Sequence, residues 1–153
     1  MKEVRKVFLA GDHAGFTLKE IIKERLERKN ILHEDIGPKE YNSKDDYPDF
    51  VIPMCEKVAK TKNSRGIIIA GSGQGEVIAA NKVKGIRAAV IYSYDKKIIK
   101  LSRQHNDSNV LSLGARFMKE KEAIKTVELW LKTPFSEANR HRRRIGKIER
   151  YEK

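Results

Sequence analysis

One glycine-rich loop constrains this chain more than any other feature. It follows residues 66–70, which are short, apolar and rich in isoleucine and are therefore typical of a buried strand. The loop, residues 71–76, has three glycines in its first five positions, so its backbone can adopt positive φ angles and approach a ligand closely. The composition of residues 77–82 is compatible with a helix. This segment predicts a strand, a glycine loop and the start of a helix.

The predicted loop can form an anion hole beside a carboxylate. Loop amides and the first turn of a helix point at one place and stabilise negative charge there. Glu76 lies at the edge of this place, and such a pair of groups can move a proton next to a carbonyl. The glycine spacing fits neither the dinucleotide-binding fingerprint nor a Walker A loop. On this segment alone, a tight turn followed by a solvated glutamate is an equally good interpretation.

Strand and helix patterns alternate along the rest of the chain, which predicts an α/β fold of right-handed βαβ units with a parallel sheet covered on both faces. Ligands bind such sheets beyond the carboxyl ends of the strands, where the strand order reverses. The predicted strands lie at about 7–10, 31–36, 66–70, 87–92 and 109–113. The predicted helices end at about Arg28, Lys60, Arg103, Lys132 and Arg150. We expect Asp95 to cap the helix that ends at Arg103 and Ser136 to cap the helix that ends at Arg150.

Charge and cysteine content narrow the class of protein. Lys and Arg total 33 and Asp and Glu 21, a net charge of +12 that is compatible with nucleic acid or anionic substrates. Most of the lysines and arginines are interspersed with acidic residues, so solvated helix faces are the favoured interpretation of this charge. A single cysteine, Cys55, excludes an internal disulfide and fits a reducing compartment. Because the chain lacks a long apolar run and an apolar signal-peptide core, we expect a cytoplasmic protein without a membrane contact.

Polar residues follow the predicted strands. Asp12 and His13 come after the first strand, where a capping aspartate and a surface histidine are the simpler interpretation. The polar run 102–109 contains His105 and Asn106, and composition alone favours a plain loop there. No group of His, Cys, Asp and Glu has the spacing of metal ligands, so neither a metal nor a cofactor is predicted.

The last predicted helix carries the one dense basic run of the chain. Arg140 and Arg144 are four residues apart and share a face, and His141 lies beside Arg144. Two guanidinium groups on one face can hold a phosphate through charge-assisted hydrogen bonds. A solvated basic face is the alternative.

Six motifs, in order along nearly the whole chain, carry a family resemblance. They are GDHAGF at 11–16, DYPDF at 46–50, GSGQGE with IAANK over 71–82, SRQHND with NVL over 102–111, GAR at 114–116 and RHRR at 140–143. Together they resemble ribose-5-phosphate isomerase type B, whose family also contains galactose-6-phosphate isomerase subunits and allose-6-phosphate isomerase. The resemblance implies a Rossmann-like three-layer αβα sandwich with a five-stranded parallel sheet, formed by a single domain over residues 1–153. It also implies a homodimer, or a tetramer built as a dimer of dimers, with active sites shared between subunits and the last helix (about 136–150) at the interface.

One departure from the family pattern assigns the base. Many members have a catalytic cysteine just before the glycine loop, where this chain has Ala70. Another branch uses a glutamate directly after the loop, and Glu76 matches that position. The resemblance and the interpretation from the residues alone therefore agree on Glu76.

The resemblance further implies metal-free aldose–ketose isomerisation through a cis-enediolate. His105 would open the furanose ring, Glu76 would move the proton, and the loop amides with the Ser72 hydroxyl would stabilise the charge. The implied substrate contacts, which include three phosphate-binding arginines, are Asp12, His13, Gly71, Ser72, Gly73, Gln74, Gly75, Asn106, Arg116, Arg140, His141 and Arg144.

Two alternatives to a ribose 5-phosphate isomerase stay open. The first is an isomerase of a six-carbon aldose phosphate, such as allose or galactose 6-phosphate, although His105 favours a five-carbon furanose that must be opened. The second is a basic module that binds nucleotides or RNA through the glycine loop. Glu76 argues against nucleic acid because a carboxylate beside the anion hole would repel it, and no basic stripe rich in aromatic residues is present.

Overall fold

Five short strands form a parallel sheet in the computed structural model, which describes residues 4–152. Their sequences are dominated by Val, Ile, Leu and Ala, which suits strands covered on both faces. The strands are β1 (Lys6–Gly11), β2 (His33–Asp35), β3 (Ser64–Ala70), β4 (Ala88–Ile91) and β5 (Val110–Gly114). Their order across the sheet is β2-β1-β3-β5-β4, and every neighbouring pair is parallel.

Helices cover both faces of the sheet. They are α1 (Phe16–Arg28), α2 (Pro48–Lys60), α3 (Gln74–Ala80), α4 (Lys96–Gln104), α5 (Glu120–Lys132) and α6 (Asn139–Tyr151). One core packs α1, α4 and α5 against the side chains of Leu9, Ile67 and Leu113. The other packs α2 and α3 against Phe8 and Ile68. Because successive strand residues point to opposite faces, β1, β3, β4 and β5 each contribute to both cores. The predicted three-layer αβα sandwich with five parallel strands is confirmed.

The two predicted helix caps have different outcomes. Asp95 caps α4 as predicted, since its carboxylate accepts hydrogen bonds from the amides of Lys97 and Ile98. The prediction that Ser136 caps the last helix is wrong, because α6 begins at Asn139 and its N-cap residue is Ala138. Glu137 adopts a left-handed backbone with φ of 58°, so a right-handed helix cannot run from residue 136 through it.

The point where the strand order reverses lies between β1 and β3. The chain leaves β1 towards β2 on one side, and the later strands are added on the other side of β3. The turn after β1 packs directly on β3, where a Cβ atom added to Gly15 would lie 1.9 Å from the carbonyl oxygen of Ile69. Only glycine permits this approach, which brings the loops after β1 and β3 side by side.

Candidate active site

The loop after β1 turns sharply at the reversal point. A single 3₁₀ turn, His13–Gly15, follows the strand, and Asp12 is its N-cap residue. The Asp12 carboxylate is buried and accepts a hydrogen bond of 3.0 Å from the amide of Ala14. A short polar side chain is therefore held at the carboxyl edge of the sheet by the backbone that follows it.

The glycine loop after β3 is shaped by close packing on its neighbours. Gly73 has φ of 73° and is the N-cap residue of α3, and its carbonyl accepts a hydrogen bond from the Ser112 hydroxyl. A Cβ atom added to Gly75 would lie 2.5 Å from the Tyr47 hydroxyl. The exposed Ser72 hydroxyl accepts a hydrogen bond of 3.3 Å from the Gln74 amide. The loop thus needs glycine both for its backbone angles and for its packing.

Glu76 lies in the first turn of α3 and its side chain points inward. The residue is only 4% exposed. Burial raises the pKa of the Glu76 carboxyl above its usual range, and the nearby Asp12 carboxylate raises it further, while the amide of Glu76 itself acts in the opposite direction. A general base works best when its pKa lies near the working pH, so this environment shifts Glu76 towards a proton-transfer role.

The raised pKa of Glu76 predicts where activity is lost on acidification. A base must be deprotonated, so kcat/KM should fall as the pH drops through a pKa above that of an ordinary glutamate. Asp12→Asn removes the like charge and should move this acidic limb to lower pH, whereas Asp49→Asn, an exposed acid in the first turn of α2, should leave it in place. Profiles of kcat/KM against pH test this. If the acidic limb of Asp12→Asn stays at the wild-type pH, the limb does not report the ionisation of Glu76.

Cys55 is unsuited to the role that a cysteine has in many family members. It lies in α2, within the core that packs α2 and α3 on the sheet. Burial raises the pKa of its thiol to about 12, so the reactive thiolate is strongly disfavoured. Glu76 stays the candidate base that the sequence predicts.

The loop after β5 completes a first group of predicted site residues. The Ala115 amide donates to the Ala70 carbonyl over 2.7 Å, and the Arg116 amide donates to the Gly71 carbonyl over 3.1 Å. The exposed Arg116 guanidinium lies over Gly71, where a built Cβ atom would be 3.4 Å from it. Three loops thereby bring Asp12, Glu76, Arg116 and the glycine loop to one edge of the sheet. We call this set, with His13, the loop group.

A second group lies where α4 ends and α6 begins. The rings of His105 and His141 stack with centroids 4.1 Å apart and planes 19° from parallel. His141 is buried, and its Nε2 atom has no hydrogen-bond partner among residues 4–152. Burial lowers the pKa of His141, and the positive charges of His105, Arg140 and Arg144 lower it further. The two arginines are themselves exposed, and with the two histidines and Asn106 they form what we call the helix group.

A partly buried ion network holds the loop of His105 and Asn106 in place. Asp107 has φ of 46° and accepts hydrogen bonds from Arg87 and Arg103, at 2.9 and 2.8 Å. Arg87 also donates to the carbonyl of Asn106. The polar run that composition assigned to a plain loop is therefore a fixed structure, in which a left-handed aspartate turns the chain directly after the predicted site residues.

The two groups remain separate within one chain. Across the described residues, no hydrogen bond, ion pair or ring contact joins the loop group to the helix group. Helix α6 is attached to the sheet domain by a few contacts, among them Glu149 with Arg87 and Glu152 with the Gly85 amide. His105 and Asn106 of the helix group precede β5 and so lie towards the amino edge of the parallel sheet, whereas the loop group lies at its carboxyl edge.

One residue beside the site has no sequence motif of its own. Asp45, in the polar loop before α2, accepts hydrogen bonds from both the amide and the ring Nδ1 atom of His13. Thirty-two positions separate the two residues, so no local pattern could reveal the contact. The adjacent DYPDF motif is the only nearby signal in the sequence.

A cavity lies at the opposite edge of the sheet. It has a volume of about 730 Å³ between α1 and α5 and is lined by Leu26, Ile31, Val127 and the buried Arg65 among others. The Arg65 guanidinium donates to the last carbonyls of α5, those of Trp130 and Leu131, which accounts for its buried charge. None of the predicted site residues lines this cavity, so it is distinct from the loop group.

Comparison with known proteins decides the family. A family model described as Ribose/Galactose Isomerase matches residues 7–148. The chain belongs to this family. Its curated relatives match this chain over nearly their whole length. It is 48% identical to the probable ribose-5-phosphate isomerase B of Mycoplasma genitalium, covering 96% of this chain and 95% of that one.

Solved structures in the family have the same fold. Ribose-5-phosphate isomerase B from Mycoplasma genitalium with bound ribulose-5-phosphate superposes with a TM-score of 0.90 at 47% identity, covering 96% of this chain and 95% of that one. A ribose 5-phosphate isomerase from Thermotoga maritima gives a TM-score of 0.88 at 38% identity, covering 95% and 97%. None of the helices between residues 4 and 152 has the length and apolar character that a membrane span requires.

Proposed function

We propose that this protein interconverts ribose 5-phosphate and ribulose 5-phosphate. One observation carries the proposal: a glutamate directly after the glycine loop is buried beside Asp12, with its pKa raised. A relative with 47% identity and the same fold has ribulose-5-phosphate bound. We infer one isomerase domain over residues 1–153 and, from the single free cysteine, a cytoplasmic location.

The reaction begins with ring opening. His105 donates a proton to the ring oxygen as the bond between that oxygen and C1 breaks, and the C1 hydroxyl gives up its proton to solvent, which frees the aldehyde. A histidine suits this step because its ring can carry a proton near neutral pH. Its stacking on His141 fixes the plane of the ring. Asp12, His13 and Asn106 contact the sugar hydroxyls.

Proton transfer then converts the aldose into the ketose. Glu76 takes the proton from C2 and returns it to C1, through a cis-enediolate whose negative charge develops on oxygen, while the proton of the C2 hydroxyl passes to O1. Amides of residues 71–75 and the Ser72 hydroxyl stabilise that charge, because preorganised donors act most strongly where charge appears during the reaction.

Arginines hold the phosphate at the other end of the substrate. Arg140 and Arg144 flank the buried His141, and Arg116 lies over the glycine loop. In this proposal a second subunit brings the helix group to the loop group, which gives a homodimer, or a dimer of dimers, with shared sites. Exposed apolar side chains on α6 support such packing, since Tyr151 is 92% exposed and Ile148 is 52% exposed.

An isomerase assay over 5- and 6-phosphorylated aldoses and ketoses tests the proposed substrate. Ribose 5-phosphate and ribulose 5-phosphate should give the highest kcat/KM. Higher values for allose 6-phosphate or galactose 6-phosphate would move the assignment to a six-carbon sugar. Failure to convert any of these sugars would contradict the isomerase function.

The proposed reaction needs no metal. The anion hole itself can stabilise the enediolate, which is the task that a divalent ion would otherwise have. We expect exhaustive chelation to leave kcat and KM for ribose 5-phosphate unchanged. Loss of activity that a divalent ion restores would contradict this.

A further inference from the structure

Asp45 directs its side chain at a single residue. Its Oδ1 atom accepts a hydrogen bond of 3.1 Å from the His13 amide and lies 2.7 Å from the His13 ring Nδ1 atom. The side chain is only 5% exposed. Its second oxygen, Oδ2, is buried and has no hydrogen-bond partner within residues 4–152. The polar contacts of this carboxylate in the described structure are therefore with His13.

The contact determines which ring nitrogen of His13 carries the hydrogen. An ionised carboxylate can only accept hydrogen bonds, so Nδ1 must be the donor. In the neutral ring Nε2 then has a free lone pair and is an acceptor. The rings of His13 and Tyr41 are perpendicular, with centroids 6.2 Å apart.

The loop that carries Asp45 is anchored where it begins. The buried Lys19 ammonium bonds to the Asp35 carboxylate at the end of β2 and lies 3.4 Å from the Pro38 carbonyl. Asp35 also accepts a hydrogen bond of 2.8 Å from the Gly37 amide. Asp45 itself lies in a turn closed by the bond from its amide to the Asn42 carbonyl. An anchored loop can keep the His13 ring in one orientation, which a freely moving loop could not do.

We propose that Asp45 is a positioning residue that keeps His13 in the Nδ1–H tautomer, so that Nε2 accepts a hydrogen bond from a hydroxyl of the sugar phosphate. The inference rests on the proposed function, which places His13 against the sugar. Asp45 acts only through His13. A purely structural role, in which Asp45 merely closes the loop onto the turn after β1, would make the tautomer irrelevant to the rate.

Asp45→Asn separates these two roles. Asparagine keeps the size of the side chain, but its amide group can donate to Nδ1 and so stabilise the opposite tautomer. Two-bond ¹H–¹⁵N correlation spectra of uniformly labelled protein, with His13 assigned through His13→Gln, report which ring nitrogen has the lone pair. Glu40→Gln, an exposed acid on the same loop, is the matched control.

In the wild type, His13 should show the hydrogen on Nδ1 and the lone pair on Nε2. In Asp45→Asn the single tautomer should be lost and kcat/KM for ribose 5-phosphate should fall about 10- to 100-fold, as is common when a partner that orients a histidine is removed. Glu40→Gln should change neither. The spectrum of the wild type tests the tautomer even if Asp45→Asn fails to fold.

Two results would overturn the proposal. One is a wild-type His13 with its hydrogen on Nε2. The other is an Asp45→Asn protein whose kcat/KM stays within about twofold of the wild type, whether or not the tautomer changes. A wild-type protein that converts no sugar phosphate would instead contradict the proposed function, and the spectra would still report the tautomer.

Discussion

Glu76→Gln is expected to lower kcat by about 10²- to 10⁴-fold or more, which is the contribution typical of general acid–base catalysis. Glutamine keeps the shape of the buried side chain and removes its basicity. The residue lies in the first turn of α3, directly after the glycine loop, and is buried beside Asp12. Substrate binding should survive, because the proposed phosphate and ring contacts are made by other residues.

Exchange of the C2 hydrogen with solvent deuterium, followed by NMR, separates binding from proton transfer. Glu76→Gln should bind the sugar phosphate with an affinity close to that of the wild type and show almost no exchange. Glu120→Gln, an exposed glutamate in the first turn of α5, is the matched control and should exchange normally. Near wild-type exchange in Glu76→Gln would mean that another group, for example Asp12 or His13, takes the proton.

Arg144→Ala is expected to raise KM for phosphorylated sugars by about 10- to 100-fold, because a hydrogen bond to a charged group is worth about 1.5–3 kcal/mol. Arg140 and Arg144 are four residues apart on α6, so they share a face, and the charge of each lowers the pKa of the buried His141. Arg143 is exposed and has no such effect on His141. Arg143→Ala should therefore leave KM nearly unchanged, and equal effects of the two variants would contradict the face assignment.

Mixing two impaired variants, assayed at a substrate concentration well below the KM of Arg144→Ala, tests whether the phosphate site is shared between subunits. If Glu76 and Arg144 of one site come from different chains, a heterodimer of Glu76→Gln and Arg144→Ala contains one site with neither substitution. We therefore expect activity to return when the two proteins are unfolded and refolded together. No recovery in heterodimers that demonstrably form would mean that one chain supplies both residues.

Local patterns in the sequence predicted most of the secondary structure, because their causes are local. Short runs that contain apolar residues predicted the five strands, and residues 66–70 are also rich in β-branched isoleucine, although β2 is shorter than the predicted 31–36. Asp95 lies directly before α4, and an N-cap depends only on the next two or three amides. The glycine loop was also predicted from the sequence, because glycine tolerates the positive φ that Gly73 adopts.

Other predictions failed or could not be made, because they depend on contacts between distant parts of the chain. Ser136 has the right residue type for a cap, but Glu137 adopts a left-handed backbone and delays α6 to Asn139. The insertion of β5 between β3 and β4 follows from packing of the whole sheet, which no strand sequence encodes.

The sequence by itself determined the elements, the glycine loop and Glu76 as the candidate base. Only the tertiary structure decided the environment of that base: burial and the Asp12 charge, which raise its pKa, arise where two loops meet at the reversal of strand order. It also decided that Asp45 binds His13 and that the loop group and the helix group lie apart. The physical reason is that periodicity and capping act over a few residues, whereas burial and electrostatic coupling depend on which distant segments pack together.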